Sequence, residues 1–174
     1  MNFRQRKIME MEYNGELKTV KVRLVEDTSI FSAKEISSPE AAVEVMKEEL
    51  AKYDREVFCV LNLNTDGSVL NMNVISMGAL SSTLIHPREV FKASILSNAA
   101  AIIAFHNHPS GNPTPSREDR ETTRRLVECG ELLGIELVDH IIVGARSQKY
   151  YSFCEHDEFE ESHGRRRSGA VYER

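Results

Sequence analysis

Apolar positions along this chain follow two rhythms that alternate with one another. Residues 57–63 (VFCVLNL) and 101–107 (AIIAFHN) are almost unbroken apolar runs, the pattern of strands covered on both faces of a sheet. Residues 68–77 read as the return strand after a turn at Asn64, Thr65, Asp66 and Gly67, residue types that favour tight reversals. Residues 136–143 and 149–153 read as two closing strands on either side of Gly144. Helical spacing fills the intervals. Val43, Met46 and Leu50 form the inner face of a helix running to about residue 53, with Ser38 as N-cap and Pro39 at the first helical position. A second helix runs from His86-Pro87 to about residue 98. A third, over 116–133, stops at Gly134, a residue suited to the left-handed C-terminal position. Leu126, Cys129, Gly130 and Leu133 mark its buried side, and the same stripe continues back through Thr123 and Thr122 to Asp119. Helices alternating with strands predict an α/β sandwich with a mixed sheet.

The two ends differ from this core. Residues 7–26 alternate apolar and polar around Asn14-Gly15, a strong hairpin signal because both turn residues must tolerate positive φ. The expected organisation is an N-terminal β-hairpin extension over 1–36, a main domain over 37–154 and a strongly charged tail over 155–174. A chain of 174 residues has the length for one domain with a proper core. Its net charge of -5 gives no global attraction to nucleic acid or an anionic membrane. No signal segment opens the chain and no apolar run reaches membrane-spanning length, so a cytoplasmic protein without membrane contact is expected. Cys59, Cys129 and Cys154 are far apart, without a C-x-x-C pair. A disulfide framework or cysteine zinc ribbon is therefore not expected, and Cys59 and Cys129 read as small buried hydrophobes.

Candidate chemistry gathers at residues 101–119, AIIAFHNHPSGNPTPSRED. Residues two apart on a strand share a face, so His106 and His108 can aim both imidazoles at one point. Asp119 lies on the inward stripe of the third helix, where an ionised carboxylate costs several kcal/mol unless a cation or donors meet it. Two His, one carboxylate and an open fourth position are the ligand count of a catalytic zinc. A plainer reading makes Ser116 an N-cap and Asp119 its capping-box partner; it accounts for those two residues and leaves the paired imidazoles unexplained. A zinc hydrolase also needs a base to move a proton. Glu56, immediately before the 57–63 strand, is the candidate, although a carboxylate there also suits a solvated strand end. The chain lacks H-E-x-x-H and the H-x-E and P-C-x-x-C pair of nucleobase deaminases. Structural or exposed roles are expected for His86, His140, His156 and His163.

Glu56, His106-x-His108-Pro109 and Ser116-x-x-Asp119 match the JAMM (MPN+) metalloprotease signature, E…H-x-H-P-x6-S-x-x-D. More closely, the stretch HNHPSGNPTPSREDRETTRRLVECGELLGIELVDHIIVG resembles the RadC-like JAB-domain proteins of bacteria, as do REVFCVLNLN and IHPREVF. The resemblance covers about residues 37–153. It implies a JAMM/MPN sandwich similar in layout to the cytidine deaminases. It further implies one zinc on His106, His108 and Asp119, Glu56 as general acid/base, and Ser116 as donor to the oxyanion of a tetrahedral intermediate. The chain departs from full-length members, which usually carry a DNA-binding helix-hairpin-helix segment, where residues 1–36 look like a β-hairpin.

The expected function is zinc-dependent hydrolysis of peptide or isopeptide bonds, with a protein or peptide substrate. The alternative is a DNA-repair or DNA-processing accessory role without proteolysis, resting on the family name and on the basic cluster Arg165-Arg166-Arg167. A non-catalytic scaffold is disfavoured because all five signature residues are present.

Overall fold

The computed structural model describes residues 21, 23–25, 39–50, 53–78, 85–145, 147 and 149–159. The N-terminal hairpin, the Ser38 cap and most of the charged tail expected from the sequence lie outside these residues. Eight elements follow in order: α1 (Pro39–Leu50), β1 (Val57–Leu63), β2 (Val69–Met77), α2 (Pro87–Leu96), β3 (Ala101–His108), α3 (Arg117–Leu133), β4 (Glu136–Gly144) and β5 (Tyr150–Ser152).

The strands form one mixed sheet in the order β2-β1-β3-β4-β5. β3 and β4 are parallel, and every other pair is antiparallel. β1 and β2 form a hairpin whose turn closes with the Gly67 N–H donating to Asn64 C=O at 3.1 Å, Gly67 taking φ of 82°. All of β1 and nearly all of β3 are buried, while β2 at the edge is half-exposed. The unbroken apolar runs of β1 and β3 are thus explained by cover on both faces.

On one face, Ala42, Val43, Met46 and Leu50 of α1 pack on Cys59, Leu61, Ile103, Phe105 and Ile141. On the other, Val90 and Phe91 of α2 and Leu126 of α3 pack on Phe58, Val60, Ile102 and Ala104. Along β3, alternate residues therefore face α1 or the α2–α3 layer, and His106 and His108 continue the α2–α3 set after Ala104.

Helix ends follow the expected signals. His86 caps α2, its Nδ1 accepting from the Arg88 N–H, with Pro87 at the first turn. Ser116 caps α3 in a reciprocal capping box with Asp119, and Gly134 ends the helix at φ 69°. Two expectations for α3 change. Leu133 is 45 % exposed and Leu132 87 %, so the buried side of the helix ends at Gly130 rather than at Leu133. Cys129 is half-buried against the α2–α3 core, whereas Cys59 is buried as expected. The chain leaves β3 through the 109–116 loop, runs back along α3 and enters β4 parallel to β3. That crossover sets the first turn of α3 beside the C-terminal end of β3, where ligands collect in α/β sheets.

Candidate metal centre

His106 and His108 project from the C-terminal end of β3 toward the start of α3. Their Nε2 atoms lie 2.9 Å apart. Asp119 Oδ1 is 3.3 Å from His106 Nε2, and Asp119 Oδ2 is 3.7 Å from His108 Nε2. These three residues are the one group of three or more His, Cys, Asp or Glu able to share a metal ion among the described residues. The sheet buries His106 to 1 % exposure and leaves His108 and Asp119 partly open. The site is therefore closed from below and accessible from above.

The bonding of His108 tests whether a cation fits. Its Nδ1 lies 2.8 Å from Asn112 C=O, and a carbonyl can only accept. Nδ1 therefore carries the proton of the neutral ring, and Nε2 presents a lone pair to the pocket. Asp119 presents carboxylate oxygen to the same point. Burial pushes the Asp119 carboxyl up, but His106, the Ser116 hydroxyl and N–H, and His108 outweigh it and hold it below the usual carboxylate range. Burial first, then His140 and His108, drive His106 well below the ordinary imidazole value against the pull of Asp119. A carboxylate and imidazole nitrogen lone pair this close repel one another unless a cation sits between them. The donor set of two nitrogens and one oxygen suits zinc.

The N–H and hydroxyl of Ser116 are both engaged with Asp119. Its N–H and O–H donate to Asp119 Oδ2 at 2.7 and 2.6 Å, and its Oγ accepts from the Asp119 N–H at 3.1 Å. The capping reading of this pair is correct. It is compatible with a ligand role for Asp119, because Oδ2 serves the cap while Oδ1 lies 3.3 Å from His106 Nε2.

Glu56 precedes β1 and is half-buried. The β1–β3 pairing ends with Phe58 opposite His106, and Glu56 lies two residues beyond that last pair, immediately before β1. Phe58 packs on the α2–α3 side with Ala104, the side to which His106 and His108 belong, and alternation along an extended chain continued back from Phe58 would give position 56 the same side. The backbone there is fixed on both sides. The Val57 N–H donates to Asn107 Oδ1 at 2.7 Å, and Asn107 Nδ2 donates to Arg55 C=O at 3.0 Å. The Gly78 N–H donates to Glu56 C=O at 2.9 Å. Asn107 thus replaces the backbone pairing that the ladder would make on either side of Glu56.

Asn107 is the residue that sequence reasoning passed over, and His140 is one whose contacts it did not foresee. A fully buried Asn between two candidate ligands is a polar group that needs partners, and that was the available signal. His140 is fully buried with its Nε2 3.0 Å from His106 Nδ1. Its core position agrees with the structural role expected for it, but its contact with a candidate ligand was not foreseen. His86 and His156 bond within their own segments.

An α/β sandwich with a His-x-His strand end facing an Asp in the next helix defines a class of candidate metal-binding domains. The model of the RadC-like JAB domain matches residues 36–159, and the chain belongs to that family. Curated relatives agree. A UPF0758 protein of Bacillus cereus strain G9842 is 53% identical over 109 residues, 63% of this chain and 48% of its own length. A UPF0758 protein of Syntrophomonas wolfei is 52% identical over 113 residues, covering 63% and 48%. One from Caldanaerobacter subterraneus is 45% identical over 124 residues, covering 68% and 53%. The chain spans about half the length of these relatives. Among the described residues, no helix is long and apolar enough to cross a membrane.

Proposed function

We propose that this chain is a zinc-dependent hydrolase of peptide or isopeptide bonds. The observation that carries the reading is the convergence of His106 Nε2, His108 Nε2 and the Asp119 carboxylate on one partly open point. Zinc held there by His106, His108 and Asp119 would supply Lewis-acid activation of water near neutral pH. Glu56, immediately before β1, takes the proton of the attacking water and returns it to the leaving amine. Ser116 turns its O–H from Asp119 Oδ2 toward the developing oxyanion, a substitution of one charged acceptor for another. Asn107 keeps the backbone around Glu56 from shifting as the carboxyl changes charge. The partly exposed side of His108 and Asp119 gives an extended peptide room to approach, in keeping with a protein or peptide substrate. The basic cluster behind the DNA-linked alternative lies outside the described residues, and no described feature favours that reading.

The test compares wild type with Glu56→Gln, which keeps size and hydrogen bonding and removes the base. Zinc content after reconstitution is expected to be about one per chain in both proteins, while cleavage products in a bacterial proteome are expected only with wild type. Equal product profiles would count against hydrolysis, and absence of bound zinc in wild type would remove its basis.

A further inference from the structure

Beneath the candidate ligands runs a buried chain of hydrogen bonds that ends on a backbone carbonyl. Thr123 Oγ1 lies 2.8 Å from Asp119 C=O, one turn back along α3. The same oxygen lies 2.7 Å from His140 Nδ1. His140 Nε2 lies 3.0 Å from His106 Nδ1. Thr123 is 3 % exposed, His106 1 % and His140 0 %, so water has no room to serve as an alternative partner.

The proton of every link follows from that carbonyl. It can only accept, so the single hydroxyl proton of Thr123 is committed to it. Thr123 Oγ1 can then only accept from His140, which places the His140 proton on Nδ1. His140 Nε2 is left as a lone pair and accepts from His106 Nδ1–H. The neutral His106 ring has no second proton, so its Nε2 lone pair points into the pocket. Ring planes are held as well. Phe58 stacks on His106 at 6.0 Å and 19°, and Phe153 stacks on His140 at 5.0 Å and 6°.

We propose that His140 and Thr123 are positioning residues that fix His106 in its Nδ1–H form and so prepare its Nε2 to bind the metal. The proposal rests on the metal-centre reading. Metal-ligating histidines usually give their second N–H to a carboxylate, a carbonyl or water. Here a second imidazole and a hydroxyl carry that bond to the backbone of Asp119, itself a ligand. Two ligands on different elements are thereby tied through a path separate from the metal. A residue that merely filled the core would not set a tautomer, and that difference makes the idea testable.

The experiment uses the full chain, first free of metal and then titrated with zinc chloride against a chromophoric chelator. Long-range nitrogen–proton NMR on the metal-free protein reports which nitrogen of His106 is protonated. Wild type is expected to show only the Nδ1–H form. Thr123→Val keeps the shape and removes the hydroxyl; it is expected to mix the two tautomers and weaken zinc binding by roughly 10-fold or more. Thr123→Ser restores the link and should return both readouts to wild type. His140→Phe keeps the stacking on Phe153 and is expected to behave as Thr123→Val does. A wild-type His106 protonated on Nε2 overturns the proposal without any variant. So does a folded Thr123→Val protein with unchanged tautomer and zinc affinity. Wild type that fixes the Nδ1–H form yet binds no zinc would support the relay and overturn the metal-centre reading instead, so the two failures are distinct.

Discussion

Asp119 divides its two carboxylate oxygens between two tasks, and the division predicts what a single-atom change does. Oδ2 accepts from both the N–H and the O–H of Ser116, while Oδ1 faces His106 Nε2. In Asp119→Asn, the carbonyl oxygen must take the Oδ2 place because only an acceptor can meet those two donors. The amide NH2 is then turned toward the imidazoles, where a ligand atom is needed. Asp119→Asn is therefore expected to keep the helix cap and an unfolding midpoint close to wild type. Its zinc affinity should fall by more than the roughly 100-fold typical of losing an outer-shell partner. Zinc competition and urea denaturation on the same sample check both halves, and wild-type zinc affinity would refute the assignment of Oδ1. Asn107 gives the complementary case. Asn107→Leu strips the partner from the buried Val57 N–H, costing about 1–3 kcal/mol for that group left unpaired, and the partner from the C=O of the exposed Arg55. Because these groups flank Glu56, turnover is expected to fall far more than zinc affinity; a matched loss of both would reject this account.

Among the elements, α3 carries the most information and one testable departure from helix propensity. Gly130 lies within the helix, where alanine normally gains about 1 kcal/mol over glycine. A Cβ at this position would meet Ile135 C=O at 2.5 Å and the Phe91 ring at 3.5 Å. The carbonyl belongs to the chain leaving the helix for β4 and cannot swing aside. Gly130→Ala is thus expected to destabilise by about 1–3 kcal/mol, as overpacking does, measured by chemical denaturation; a stabilised variant would show that this crossing has slack. Element positions were readable in the sequence because each rests on a local signal. Buried runs give β1 and β3, Pro87 and the capping box start helices, and Gly134 stops one. His140 was not readable, and the reason lies in β4. Ile102 pairs with Leu137 but Ile103 pairs with Asp139, so Val138 is an extra residue in the strand. Val138 packs in the α1 core, and an unbroken strand would turn residue 140 to that same side. The bulge reverses the alternation and sends His140 toward Thr123 and His106. Bulges re-aim side chains in this way, and no period in the sequence announces one.

At the scale of the whole molecule, the sheet that closes the site also encloses a carboxyl remote from the candidate metal, and this sets how the fold answers to pH. Asp139 is fully buried on β4. Its Oδ2 is 2.6 Å from Ser152 Oγ, and its Oδ1 accepts from the Cys154 N–H at 3.0 Å, so it fastens β4 to the closing segment. That segment brings Phe153 against His140. Burial pushes the Asp139 carboxyl up from 3.8 to about 7, against the hydrogen bonds from Ser152, Cys154 and His140. The folded state then holds a proton that the unfolded chain releases at lower pH. Between those two values the native state binds more protons than the unfolded state, so stability falls as pH rises. Below 3.8 both forms are protonated and the contribution is complete; above about 7 it is gone. The full swing is on the order of 4 kcal/mol. Urea denaturation of zinc-free wild type and Asp139→Asn across this range isolates the effect, since the other titrating groups are common to both. The Asn side chain accepts from Cys154 and donates to Ser152 as the protonated acid does, without titrating. The stability of wild type relative to Asp139→Asn is expected to decline from pH 4 to 7 and level off above. A flat difference across that interval would mean that the Ser152 and Cys154 donors keep the carboxylate ionised in spite of its burial.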